Sequence, residues 1–121
     1  MKLILIIDDD DLFRAMLRQM LESEGYEVVD APDGEEGIKL YRAKPTDLII
    51  TDILMPNKEG LQTIMELQQI FPEVKIIAIS GGGCVGPDNY LKIAKMLGVQ
   101  SAFEKPFHRE ELLETVLELL Q

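Results

Sequence analysis

Apolar positions along this chain fall into two alternating rhythms. Short runs of strand length cover Leu3 to Ile7, Glu27 to Asp30, Asp47 to Thr51, Val74 to Ile79 and Ala102 to Glu104. Between them lie segments of helical period, over about Asp11 to Glu24, Gly34 to Ala43, Glu59 to Phe71, Asp88 to Leu97 and Arg109 to Leu120. That alternation predicts repeated strand–helix units around a parallel sheet. The first, third and fourth runs are almost wholly apolar, as strands covered on both faces are, so they belong in the middle of the sheet. The more polar second run belongs at an edge. Local punctuation agrees. Gly25 and Gly98 stand where helix-ending glycines belong, Pro45 and Pro72 stop the second and third helices, and Asp33 with Glu36 three residues on marks a helix start. One stretch, Gly81-Gly82-Gly83-Cys84-Val85-Gly86-Pro87, carries too many glycines for a helix and predicts a loop directly after Ser80.

Four of the apolar runs end on residues suited to phosphoryl chemistry: Ile7 into Asp8 and Asp9, Thr51 into Asp52, Ile79 into Ser80, and Glu104 into Lys105. Open parallel sheets bind ligands outside the carboxyl ends of their strands, so these distant residues are expected to meet at one edge. Hard cations such as magnesium take oxygen ligands, which Asp8, Asp9 and Asp52 can supply. Two carboxylates ~4 Å apart repel by roughly 4 kcal/mol at an effective dielectric near 20, which a divalent ion or the Lys105 ammonium would offset. A carboxylate can also accept a phosphoryl group when nearby cations neutralise the transferred charge. Asp52, alone at its strand end, suits that role better than the Asp8–Asp9 pair. Lys105 and Ser80 could each serve one phosphoryl oxygen.

Each of these residues has an ordinary reading by itself. An acidic run such as Asp8 to Asp11 opens many solvated helices, a lone Asp52 can start a turn, Ser80 is at home beside glycines, and Lys105 before Pro106 can be solvated. His108, the one histidine, reads as a residue capping or flanking the last helix. What singles the set out is its recurrence at four strand ends.

Composition narrows the function classes. A chain of 121 residues has the size of one domain, expected to span 1–121. With 22 acidic and 12 basic residues its formal net charge is -10, which repels the phosphate backbone and argues against direct nucleic-acid binding. The single cysteine, Cys84, excludes an internal disulfide and multi-cysteine zinc sites. No apolar run approaches the ~18 residues needed to span a bilayer, and the amino-terminal run stops at Asp8, so a cytoplasmic protein without a membrane role is expected.

Taken together, Ile6-Ile7-Asp8-Asp9 with Arg14 following, Asp47-Leu48-Ile49-Ile50-Thr51-Asp52 with Met55-Pro56 and Gly60, Ile79-Ser80, and Lys105-Pro106-Phe107 resemble the receiver domain of two-component response regulators over essentially the whole chain. The resemblance implies a three-layer, doubly wound (βα)5 flavodoxin-like fold. Its five-stranded parallel sheet would run in the order 2-1-3-4-5, with two helices on one face and three on the other; a member of this family is a standard example of that strand order. It implies that Asp52 accepts a phosphoryl group from a sensor histidine kinase or a histidine phosphotransfer protein. Asp8, Asp9, Asp52 and the backbone carbonyl of Leu54 would hold Mg2+, with Lys105 and Ser80 completing the site. It further implies a switch, without an output domain, that acts on a downstream protein through the fourth helix, fifth strand and fifth helix; phosphorylation-dependent dimerisation is left open. Three features depart from the family pattern. Ala102 stands where an aromatic ring is usual, the glycine loop 81–87 is longer than usual, and Gly81 replaces a more usual alanine. Phe103 cannot substitute for the missing ring, because adjacent strand residues point to opposite faces.

Two rival readings use the same residues. A small aspartyl-phosphate hydrolase would take Asp8 as nucleophile and Asp10 as acid, leaving Asp52 unused. A phosphate-indifferent interaction scaffold would be favoured by Ala102 and disfavoured by the intact set of acids, hydroxyl and lysine.

Overall fold

A computed structural model describes residues 1–53, 60–80 and 95–121. The predicted helix over Asp88 to Leu97 is therefore described only from Lys95. The Leu54 carbonyl, Met55-Pro56, the loop 81–87 and Cys84 lie outside the described residues.

Five strands, β1 (Leu3–Ile7), β2 (Glu27–Ala31), β3 (Leu48–Asp52), β4 (Ile76–Ser80) and β5 (Ser101–Glu104), form one parallel sheet in the order β2-β1-β3-β4-β5. Every residue of β1, β3 and β4 is buried, and these are the three inner strands. The mixed sequences of β2 and β5 lie at the edges, where one flank needs no neighbour. Three boundaries differ from the sequence expectation in a way that matters. Asp52 and Ser80 are the last residues of their strands rather than the first beyond them, so the sheet itself holds their backbones. Asp47 falls outside β3, and its carboxylate instead accepts a hydrogen bond from the Leu3 amide at 2.8 Å.

Among the described residues the helices are α1 (Asp11–Ser23), α2 (Gly34–Ala43), α3 (Gly60–Ile70) and α4 (Arg109–Leu119), the last being the fifth of the predicted segments. Asp10 caps α1, its carboxylate accepting from the amides of Leu12 and Phe13, and Asp33 caps α2 by accepting from Glu36. Gly25 ends the turn after α1 at φ +93°, a left-handed conformation that side chains resist. His108 stands at the start of α4 without a side-chain cap bond.

Side-chain alternation divides the core between the two faces of the sheet. Leu5, Ile7, Ile49, Ile76 and Ala78 pack with Ile38 and Tyr41 of α2 and with Ile64 and Leu67 of α3. Ile4, Ile6, Leu48, Ile50, Ile77 and Ile79 pack with Leu17, Met20 and Leu21 of α1 and with Leu112 and Val116 of α4. Ala102 joins the first face and Phe103 the second, as adjacent positions on a strand must. Among the described residues, no helix is long and apolar enough to cross a membrane.

Candidate phosphoryl site at the strand ends

The carboxyl ends of β1, β3 and β5 converge. Lys105, the first residue past β5, places its Nζ 3.2 Å from Asp8 Oδ2 and 3.4 Å from Asp52 Oδ2. These partners are 97 and 53 residues away in sequence. Sheet register accounts for the meeting: Ile7 is paired with Thr51, Asp52 with Ile79, and the Lys105 amide donates to the Ser80 carbonyl at 2.7 Å. Asp8 and Asp52 are in phase with Ile6 and Ile50, and Lys105 with Phe103, so all three lean toward the α1 and α4 side.

Asp8, Asp9 and Asp52 each offer a carboxylate oxygen within 4.8 Å of the other two. Asp8 and Asp52 are only 1% and 5% exposed, whereas Asp9 faces solvent. At that separation two buried charges repel by about 3–4 kcal/mol at an effective dielectric near 20. Burial pushes the Asp8 carboxyl above the ordinary carboxylate range, and the Asp10 amide and Lys105 only partly oppose this. Among the described residues, three carboxylates facing the Lys105 ammonium leave two formal negative charges. An all-oxygen donor set with that surplus fits a hard divalent cation such as Mg2+.

The neighbouring polar groups are held in place. Asp8 Oδ1 accepts from the Asp10 amide at 2.8 Å. Arg14 donates to the Asp8 carbonyl at 2.7 Å while its other nitrogens reach Asp30 at 3.0 Å and Asp11 at 2.7 Å, which ties the end of β1 to α1 and β2. Asp10, the acid of the hydrolase reading, is committed through its Oδ1 to two helix amides at 3.1 Å. That engagement argues against a proton-transfer role.

Ser80 makes no hydrogen bond to the cluster. Its residue is fully buried, and its hydroxyl has no hydrogen-bond partner among the described residues. Register explains why: Ser80 is in phase with Ile76 and Ala78, on the α2–α3 side, along with Ala102. Conversely, a residue that the motifs did not flag stands beside the lysine. The Phe13 ring centroid lies 3.8 Å from Lys105 Nζ. Nothing in the spacing of Phe13 predicts this, since the contact joins the first turn of α1 to the end of β5.

Known proteins share this fold. Residues 4–117 match the family described as Response regulator receiver domain. The chain is 32% identical to the chemotaxis protein CheY of Treponema pallidum, over 98% of this chain and 82% of that protein. Other curated relatives include longer transcriptional regulatory proteins, such as GlrR of Escherichia coli, 32% identical over 98% of this chain and 26% of that protein. A response regulator receiver domain protein from Clostridium thermocellum superposes with a TM-score of 0.91 at 25% identity, over 99% of this chain and 94% of that one. The response regulator TrrA from Thermotoga maritima, solved in complex with Mg2+–BeF, does so with a TM-score of 0.86 at 33% identity, over 99% and 100%.

Proposed function

This chain belongs to the response regulator receiver domain family, and from that premise we propose that it works as a switch in which Asp52 accepts a phosphoryl group from a phosphohistidine of a sensor kinase or phosphotransfer protein. The observation that carries the reading is the bridge from Lys105 to both Asp8 and Asp52 at the strand ends. In the transfer, an Asp52 carboxylate oxygen attacks phosphorus as the phosphorus–nitrogen bond breaks, and the electron pair leaves with the imidazole. Lys105 then turns an N–H from the carboxylates to a phosphoryl oxygen, stabilising charge where it develops.

Asp8, Asp9 and Asp52 are the residues that would hold Mg2+, together with the carbonyl of Leu54, which lies outside the described residues. A bound Mg2+ would neutralise part of the charge on the transferred group. The complex of Mg2+–BeF with the related TrrA supports that assignment.

Ser80 supplies the response. Its buried hydroxyl has no partner among the described residues; a buried hydroxyl left so costs about 1–3 kcal/mol, and a phosphoryl group on Asp52 would offer it an acceptor. That gain favours a conformation in which the end of β4 moves toward Asp52, and a downstream protein reads the altered surface. With Ala102 on the Ser80 side, the movement proceeds without an aromatic ring to follow it.

Incubation with acetyl phosphate and Mg2+, followed by intact mass measurement, tests the assignment. One phosphoryl adduct is expected on the native chain and none on Asp52→Asn. Adducts on both chains would move the acceptor elsewhere, and none on the native chain would defeat the switch.

A further inference from the structure

We infer that Phe13 is a positioning residue for phosphoryl transfer, its ring face holding the Lys105 ammonium beside the Asp52 carboxylate. The inference rests on Asp52 being the acceptor, and it adds a group that the acid, hydroxyl and lysine set does not contain.

The geometry is that of a cation over an aromatic face, with Nζ 3.8 Å from the ring centroid. Both ends of the contact are braced. The Phe13 amide donates to Asp10 Oδ1 at 3.1 Å, which pins the first turn of α1 next to Asp8 and Asp9. The ring meets Phe107 edge to face, with centroids 6.0 Å apart at 89°. Phe107 in turn rests 5.8 Å from Phe103. Phe107 is two residues beyond Lys105, so the same aromatic contacts that anchor Phe13 also fix the backbone carrying the lysine. Phe13, Met16, Pro106 and Phe107 line an open cavity of about 520 Å³ along the Lys105 side chain.

An aromatic face suits this place because of what it lacks. Its quadrupole attracts an ammonium but offers no lone pair that accepts a strong hydrogen bond. A further carboxylate would compete with the incoming phosphoryl oxygens and add negative charge where more is about to arrive. An aliphatic side chain would exert no such pull. The ring therefore keeps the ammonium at the sheet edge while its N–H groups remain available to exchange carboxylate oxygens for phosphoryl oxygens.

The test compares rates of Asp52 phosphorylation by acetyl phosphate with Mg2+ for the native chain, Phe13→Leu and Phe13→Tyr, each with Lys105 present and with Lys105→Met. With Lys105 present, Phe13→Leu should slow the reaction roughly three- to tenfold, the range a partly desolvated cation–π contact spans. Phe13→Tyr should restore the native rate to within about twofold, because it keeps the ring face. In the Lys105→Met background, Phe13→Leu should change nothing. A native rate in Phe13→Leu, or equal slowing in both backgrounds, would overturn the inference while leaving Asp52 as acceptor. If the native chain took up no phosphoryl group, the acceptor reading itself would fall. A second measurement does not depend on transfer. The Lys105 ε-methylene protons should resonate upfield in the native chain, from the ring current, and move downfield in Phe13→Leu; identical shifts in the two proteins would overturn the contact.

Discussion

Asp8 lies between Asp9 and Lys105 with 1% of its surface exposed, and burial raises its carboxyl above the unfolded value of 3.8. Between that value and the raised native one, the folded chain binds more protons than the unfolded chain. Stability therefore falls as pH climbs through that window, and the loss is complete above the native pKa. Asp8→Asn removes the ionisation and keeps one acceptor oxygen for the Asp10 amide that Asp8 Oδ1 serves, while its NH2 replaces the Oδ2 that accepts from Lys105. In metal-free buffer at pH 7, Asp8→Asn should melt a few degrees above the native chain, where ~1 kcal/mol corresponds to roughly 3–6 °C for a domain of this size. The difference should vanish below about pH 3, where the carboxyl is protonated in both states. Thermal unfolding followed by circular dichroism at the two pH values checks this, and a native chain that melts higher at pH 7 would contradict it.

The helices reach the strands at different tolerances, and glycines mark where the approach is tightest. A Cβ on Gly60, the first residue of α3, would fall on the Asp52 carbonyl oxygen and the Ile53 Cα, both backbone atoms that cannot turn aside. A Cβ on Gly37, within α2, would press on Cδ1 and Cγ1 and touch Cγ2 of the Ile7 side chain rather than backbone. Gly60→Ala should therefore cost about 2–3 kcal/mol, the upper part of the range for overpacking, and Gly37→Ala about 1 kcal/mol or less. Urea unfolding of the two variants checks the order. Gly60→Ala should also slow phosphorylation of Asp52, because the atom displaced belongs to that residue. Equal costs for the two variants would mean that α3 can slide without moving β3.

The charge of the protein as a whole adds a further expectation. A formal net charge of -10 repels itself in the compact state, and part of the excess is concentrated in the Asp8, Asp9 and Asp52 cluster. Raising KCl to about 0.1 M, where the Debye length is ~10 Å, should raise the melting temperature of the metal-free chain through general screening. Mg2+ at equal ionic strength should raise it further by binding the folded state alone. Asp8→Asn should keep the response to KCl and lose most of the additional response to Mg2+. Equal effects of the two salts on the native chain would mean that the three carboxylates hold no specific cation.

The order of strands and helices was legible because hydrophobic period is a local property, written by each segment for itself. The inner places of β1, β3 and β4 followed from their almost wholly apolar runs, and the edge place of β2 from its mixed one. So was the candidate chemistry at the strand ends, since residue type after an apolar run is also local. Tertiary structure alone decided which of those groups touch. The register between strands put Lys105 against Asp8 and Asp52, and it put Ser80 on the opposite phase with its hydroxyl unpartnered among the described residues. Packing of α1 against the end of β5 brought the Phe13 ring over the lysine, and the seat of α3 made Gly60 necessary. Contacts of this kind join segments tens of residues apart, and their direction depends on pleat phase and helix seating that no single segment encodes.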